Sequence, residues 1–359
     1  MKRAVLIAAL VPLAITLLPA TGTAAAAPVS VPGVHGPVWQ PHPTGVSAAR
    51  FRGLSALSRT VAWVSGSLGT VLRTTDGGQS WRNVSPPDVA TLQFRDITAF
   101  DSRNAVILSI GEGADSRVYR TTDGGAHWAE TFRNSDPAAF YDCMAFFDRR
   151  HGIALSDPVG GKFRILSTSD GGSSWAVLPS DGMPQALDGE FAFAASGQCV
   201  STAGARDAWI ATGGGAQARV LHSTDRGRTW TASVTPMGSG PSAGVFATAF
   251  RNGRDGVAVG GDFNTPTTAA HALAITRDGG RTWTEPSTAP AGYRSGVTNF
   301  PWLPGVLIAV GPSGSDLTLD GGRHWRQFDA GSFDTVDCAP DGGCWASGEQ
   351  GRAASLTLG

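Results

Sequence analysis

The stretch "RTTDGGQSW" at 73–81 decides the fold, because the chain writes it again at intervals. "TTDGGQSW" ends at Trp81 and "TTDGGAHW" at Trp128, followed by "TSDGGSSW" at Trp175 and "STDRGRTW" at Trp230. "TRDGGRTW" at Trp283 and "TLDGGRHW" at Trp325 complete six copies. The spacings between the tryptophans are 47, 47, 55, 53 and 42 residues, a period that means a repeat architecture. The chemistry of each copy is that of a turn. Its Asp accepts backbone N–H groups of its own loop, and its glycines supply the positive φ that a tight connection needs. Its Trp opens the next strand with a large apolar body and one N–H donor.

Between the boxes the sequence reads as short strands. In the second unit these are "LQFRDITAF", "NAVILSIG", "RVYRTT" and "HWAETFRN", and the third and fifth units follow the same plan. Each unit is therefore a four-stranded antiparallel blade, with the box between its third and fourth strands. After Trp325 only three strands remain, "FDTVDCAP", "GCWASGEQG" and "RAASLTLG". The missing fourth has a candidate at 37–45, "PVWQPHPTG", whose Trp39 matches the box tryptophans. The expected fold is all-β, a seven-bladed β-propeller whose last blade is closed by this N-terminal strand, leaving no open sheet edge.

Composition agrees. Of 359 residues 48 are Gly and only 16% are charged, as suits short strands joined by tight turns. Net charge is -1 and no basic run is interleaved with aromatics, so nothing points to nucleic acid. Lys2-Arg3, an apolar run over 4–20 broken by Pro12 and Pro19, and "TGTAAAAPVS" read as a secretory signal peptide over 1–26, cut after Ala26. No later stretch is long and apolar enough for a membrane span. The expectation is a secreted or otherwise extracytoplasmic protein, a single propeller domain over 27–359, monomeric. Export permits disulfides among Cys143, Cys199, Cys338 and Cys344. Cys338 and Cys344 fall on paired strands of blade seven. Cys143 and Cys199 occupy matching places in blades three and four.

Each box fits the pattern S/T-x-D-x-G-x-x-W and resembles the Asp box of BNR-type β-propellers. With "FRGLSAL", "GTVLRTTDGG", "FRDITAF", "HGIALSDPVGG", "VAVGGD" and "VGPSGSD" in view, nearly all of the chain beyond the leader resembles Ycf48-like proteins. These belong to the wider BNR, sortilin-like propellers. The resemblance implies a seven-bladed assembly factor that binds newly made photosystem II protein, with an arginine-rich patch in that binding. Many exported members occur in non-photosynthetic cells, so the fold carries over better than the role.

In a propeller, loops entering first strands and loops joining second to third strands lie opposite the boxes. By alignment of first strands, Arg52, Arg95, Tyr141, Arg294 and Asp334 ring the mouth of the central channel. The second-to-third loops add Asp157, Asp262, Ser313 and Asp316. The functional reading is an arginine-lined face that binds a protein or peptide partner, or another carboxylate-bearing ligand, since guanidinium bonds such groups bidentately. The alternative use of these arginines is to pair with Asp96, Asp142, Asp157 and Asp262 and tie blades together.

Catalysis finds less support. The box aspartates Asp76, Asp123, Asp170, Asp225, Asp278 and Asp320 read as structural, facing turns of separate blades rather than a metal. The histidines show no metal-ligand spacing, no cofactor motif is present, and no G-x-S-x-G elbow occurs. Sialidases share the box and an arginine cluster, but the FRIP motif is absent and only Tyr119, Tyr141 and Tyr293 exist as nucleophiles. The competing reading is a hydrolase or lyase acting on an anionic sugar or small acid at the same face; a redox activity has the least support.

Overall fold

The computed structural model describes residues 36–358, so the leader read over 1–26 lies outside the described residues. Seven antiparallel sheets follow one another along the chain. The first strand of each blade lies against the first strands of the blades before and after it, and blade seven meets blade one. The first strands thus form a closed ring around a channel. Among the described residues the only helix is one 3-10 turn at Gly113–Asp115, and none is long and apolar enough to cross a membrane.

Closure occurs as the strand count requires. Val38–His42 pairs antiparallel with Ala353–Thr357 as the outer strand of blade seven. Trp39 is buried there against Phe328 and Phe333, and its indole N–H donates to Ser315 Oγ of blade six at 2.9 Å. Outer strands are the weakest part of the pattern. Blade five keeps only a single bridge, Ile275 to Thr284, where "TWTEPS" promised a strand. Pro286, two residues on, has no N–H to continue the ladder.

The six boxes fold alike. In the first, the Thr74 hydroxyl donates to Asp76 Oδ1 at 2.9 Å, and the Ser80 N–H donates to the same oxygen at 3.0 Å. The Ser80 hydroxyl donates to Oδ2 at 2.5 Å, and Gly78 N–H donates to Thr74 Oγ1 at 2.9 Å. These bonds hold the Asp76 carboxyl down to about 2, the Ser80 hydroxyl contributing most. In two boxes His127 and His324 take the place of Ser80, with Nδ1 2.7 Å and 2.6 Å from the carboxylate. In five boxes the Gly directly after the Asp has a φ of +73 to +82, and in the fourth box Arg226 occupies that place at +63. The box tryptophans supply much of the packing between blades. Trp63 stacks edge-on against Trp128, and Trp81 against Trp345.

Both pairs of cysteines are joined. Cys338 and Cys344 face each other across the hairpin of blade seven, with Cα atoms 4.0 Å apart. Cys143 in the first strand of blade three is bonded to Cys199, just before the first strand of blade four, with Cα atoms 5.9 Å apart.

Candidate functional site at the channel mouth

The first strands of blades one, two, three and five are bulged at one common place. The ladder steps from Phe51 to Gly53, Phe94 to Asp96, Tyr141 to Cys143 and Val245 to Ala247. A bulged residue leaves the ladder and its side chain is re-aimed. The residues skipped are Arg52, Arg95, Asp142 and Phe246. Backbone bonds between blades extend the equivalence. Phe51, Arg294 and Phe333 each donate N–H to the end of the preceding blade's second strand, at Gly348, Gly260 and Gly311. Ser295 and Asp334, one residue later, therefore stand where Arg52 stands. In blade four Cys199 matches Cys143, which places Gln198 in the ring. Going round the channel the ring reads Arg52, Arg95, Asp142, Gln198, Phe246, Ser295, Asp334.

This corrects two of the expected residues by one position. Tyr141 matches Phe51 and Phe94, not Arg95; it is fully buried against Phe132. Arg294 likewise matches Phe51 and has no exposed surface. Its Nε donates to Asp316 Oδ2 at 2.6 Å, and its Nη1 donates to Ser313 Oγ at 2.9 Å and to the Tyr293 carbonyl at 2.8 Å. Arg294, Ser313 and Asp316 therefore form a buried tie within blade six rather than a binding surface. Asp262 accepts from Asn264 N–H at 2.8 Å in its own turn, away from the arginines. Among the described residues, neither Arg52 nor Arg95 makes the ion pairs with Asp96, Asp142, Asp157 or Asp262 that the tying alternative needs; Asp96 accepts from Met144 N–H at 2.7 Å, and Arg95 bonds only the Ala194 carbonyl and Gln93.

Arg52 and Arg95 stand side by side with no carboxylate ion pair among the described residues. Arg52 Nε is buried and has no hydrogen-bond partner. Burial and then the neighbouring Arg50 pull its pKa down. Arg95 is pulled down to about 9, by burial and then by Arg52. The ring places a carboxyl on each side of this pair, Asp334 beside Arg52 and Asp142 beside Arg95, and neither makes an ion pair with it. Asp334 takes a bidentate bond from Arg50, Nε to Oδ2 at 2.7 Å and Nη2 to Oδ1 at 2.6 Å. Asp142 is held well above the usual carboxylate range by burial and then by the adjacent Asp157 carboxyl, with Arg95 acting the other way, and its Oδ2 is buried without a hydrogen-bond partner. Asp157, pushed up to about 6 by burial, is tied in turn to Ala192 N–H at 2.9 Å.

The 55-residue spacing before Trp230 hides a segment, residues 190–198, that crosses the channel. Its base is the buried Glu190, paired with Arg219 and accepting from the Thr212 hydroxyl at 2.6 Å. Ala192 is held by Asp157, and the Ala194 carbonyl accepts from Arg95 Nη1. At Gly197, with φ +70, a Cβ would sit 2.9 Å from the Arg95 carbonyl oxygen, so only glycine fits the crossing. Gln198 spans to the far side: its amide donates to Val336 O at 3.0 Å and Val297 O at 3.2 Å, and accepts from Val297 N–H at 3.1 Å. Cys199 then anchors the segment to blade three.

With its floor closed, the mouth is a cavity of about 500 Å³. One side carries three arginines, Arg50, Arg52 and Arg95, with the carboxylates of Asp334 and Glu349 beside them. The other is aromatic, made by Phe193, Phe246, Phe263 and Tyr293. Phe193 stacks on Phe246 with centroids 4.1 Å apart, and Phe246 meets Tyr293 edge-on at 4.7 Å. Phe263 stands at the rim, 46% exposed. Alignment of first strands found Arg52, Arg95 and Asp334. It missed Arg50, which precedes the strand, and the aromatic wall, of which "EFAFAASGQC" at 190–199 was the visible sign.

No protein-family model matches the sequence, and no curated protein matches it at a significant level. Solved structures do match. Ycf48 bound to a D1 peptide superposes with a TM-score of 0.62 at 15% identity, covering 89% of this chain and 95% of that one. Ycf48 from Cyanidioschyzon merolae gives 0.61 at 16%, covering 88% and 98%. The GH74 enzyme of Niastella koreensis gives 0.61 at 13%, covering 88% of this chain but only 53% of the enzyme. At such identities these likenesses establish the propeller fold.

Proposed function

We propose that the protein is an exported, non-enzymatic propeller that binds a protein or peptide partner at the channel mouth, as an assembly factor would. The observation that carries this reading is the pair Arg52 and Arg95. Two adjacent guanidinium groups, desolvated and without a carboxylate partner, repel each other and cost the folded protein stability. An anionic group entering the cavity relieves that cost and gains bidentate, charge-assisted bonds. A Ycf48 structure carrying a D1 peptide supports the same mode of use on the same fold. The signal-like leader over 1–26 supports export.

The enzymatic reading, which GH74 neighbours keep in view, has less in its favour at this cavity. Tyr293, the tyrosine lining it, has its pKa raised by burial and then by Asp334, the wrong direction for a nucleophile. Of the two carboxylates present, Asp334 is locked to Arg50, leaving Glu349 without a second free carboxyl to share acid and base roles.

The test is a paired capture from the exported fraction with wild type and Arg52→Ala/Arg95→Ala, both checked by thermal melt. Wild type is expected to retain a partner that the folded double variant loses. Equal capture by both overturns the reading.

A further inference from the structure

We infer that the ligand of the channel mouth presents a carboxylate and an aromatic ring together, the carboxylate held by Arg52 and Arg95 and the ring received by Phe193, Phe246 and Phe263. This rests on the binding role proposed above and specifies what is bound.

The argument begins with the ring of bulged positions. Arg52 and Arg95 occupy blades one and two, and Phe246 occupies blade five, on the far side of a seven-membered ring. The cavity is therefore polarised across its width. Phe246 alone would be a packing residue, but it carries Phe193 stacked on it, and Phe263 turns its edge towards both at 6.1 and 6.2 Å. Phe263 keeps nearly half its surface open at the rim. A further ring meeting these rings edge-on or offset gains contact beyond simple burial. On the opposite wall, Arg52 Nε lacks a partner altogether.

Size and depth narrow the ligand further. A cavity of about 500 Å³ holds a few residues at most. Its floor is the backbone of residues 193–195, held to Arg95 and, through Gln198, to blades six and seven. A chain cannot thread the channel, so what enters is one or two side chains or a chain end. The carboxylate has two possible sources, an acidic side chain next to the aromatic residue or the terminal carboxylate of an aromatic last residue. Both present the same chemistry to the two arginines.

Four tetrapeptides, all acetylated at the N-terminus, test this by isothermal titration calorimetry. One is amidated with adjacent phenylalanine and aspartate, one ends in phenylalanine with a free carboxylate, one ends in alanine with a free carboxylate, and one holds phenylalanine with no carboxylate. At least one of the two aromatic acids is expected to bind about tenfold tighter than the alanine acid. Which of them does so tells a side-chain from a terminal source. Phe263→Ser, at an exposed position, is expected to erase that preference and leave the alanine acid unchanged; Arg52→Ala/Arg95→Ala is expected to abolish binding of every acid. If wild type binds aromatic and alanine acids equally, or if Phe263→Ser keeps the preference, the inference fails while the binding reading stands. If no acid binds, both fail.

Discussion

The two ends of the channel are built from the same seven blades and use repetition in opposite ways. On the box face, six turns repeat one arrangement of Asp, hydroxyl or imidazole, and backbone N–H. On the mouth, one position repeated in seven blades carries Arg, Arg, Asp, Gln, Phe, Ser and Asp. Where every copy must solve the same folding problem, the residues converge. Where the copies jointly line one cavity, they are free to differ, and their differences give the cavity its arginine-bearing and aromatic sides.

The sharpest way to break that comparison sets an arginine of the mouth against the buried one beneath it. Arg294→Ala is expected to cost about 3–5 kcal/mol in chemical denaturation, because it leaves Asp316 buried without its partner. Arg52→Ala is expected to leave stability unchanged or raise it, since it removes a desolvated charge that repels its neighbours. Equal losses in the two variants would mean that Arg52 is also a structural tie and that the mouth is no binding site.

The two faces also differ in the sign of their pH dependence. Near the mouth, burial raises Asp96 to about 8 and Asp157 to about 6, and burial and then Asp157 raise Asp142 well above its ordinary value. Raised carboxyls favour the folded state fully below the unfolded value of about 4, and that advantage is lost as pH rises through the folded values. The melting temperature is therefore expected to fall between pH 5 and pH 8.5, and Asp142→Asn to flatten the fall. The box carboxyls behave in reverse: Asp76 and Asp278 at about 2 contribute stability that is present above about 4 and lost as pH drops towards 2. A melting curve flat on the alkaline side would show that the three mouth carboxyls are not buried together.

Within the box face, Asp225→Ala removes acceptors for the Ser223 and Thr229 hydroxyls and for the Arg228 and Thr229 N–H groups. The expected loss is about 1–2 kcal/mol, read from denaturant midpoints. A smaller loss would mean that the glycines and tryptophans, rather than the carboxylate, hold the turn.

How much of each face was legible follows from the range of the forces involved. A box is closed by residues within eight positions of one another, so its sequence and its geometry are the same information. Strand count and the closing segment with Trp39 were legible too, because an unpaired sheet edge has to be satisfied by something in the chain. The mouth depends on a bulge, which shifts register by one residue without any mark in composition. In blade three that single step put Tyr141 in the core and Asp142 in the ring, while Arg294 is drawn inward by its N–H bond to the Gly260 carbonyl of the blade before it. Arg50 and the crossing segment were hidden for another reason: their partners, Asp334 and Val336, lie more than a hundred residues away.

The fourth box offers the smallest and cleanest test of what its repetition is for. Five boxes place Gly first after the Asp, and the fourth places Arg226 there with φ +63. Left-handed backbone costs a side-chain-bearing residue roughly 1 kcal/mol that glycine does not incur. Arg226 recovers part of this through its Nε, which donates to the Ala205 carbonyl at 2.8 Å, while its approach to Asp148 at 3.9 Å is exposed and worth little. Arg226→Gly is therefore expected to raise stability by about 0.5 kcal/mol, a shift of one or two degrees in the melt. A loss instead would show that the bond to Ala205 outweighs the strain. The one departure from the glycine pattern would then be a blade-specific fastening, and the box face would share some of the individuality that marks the mouth.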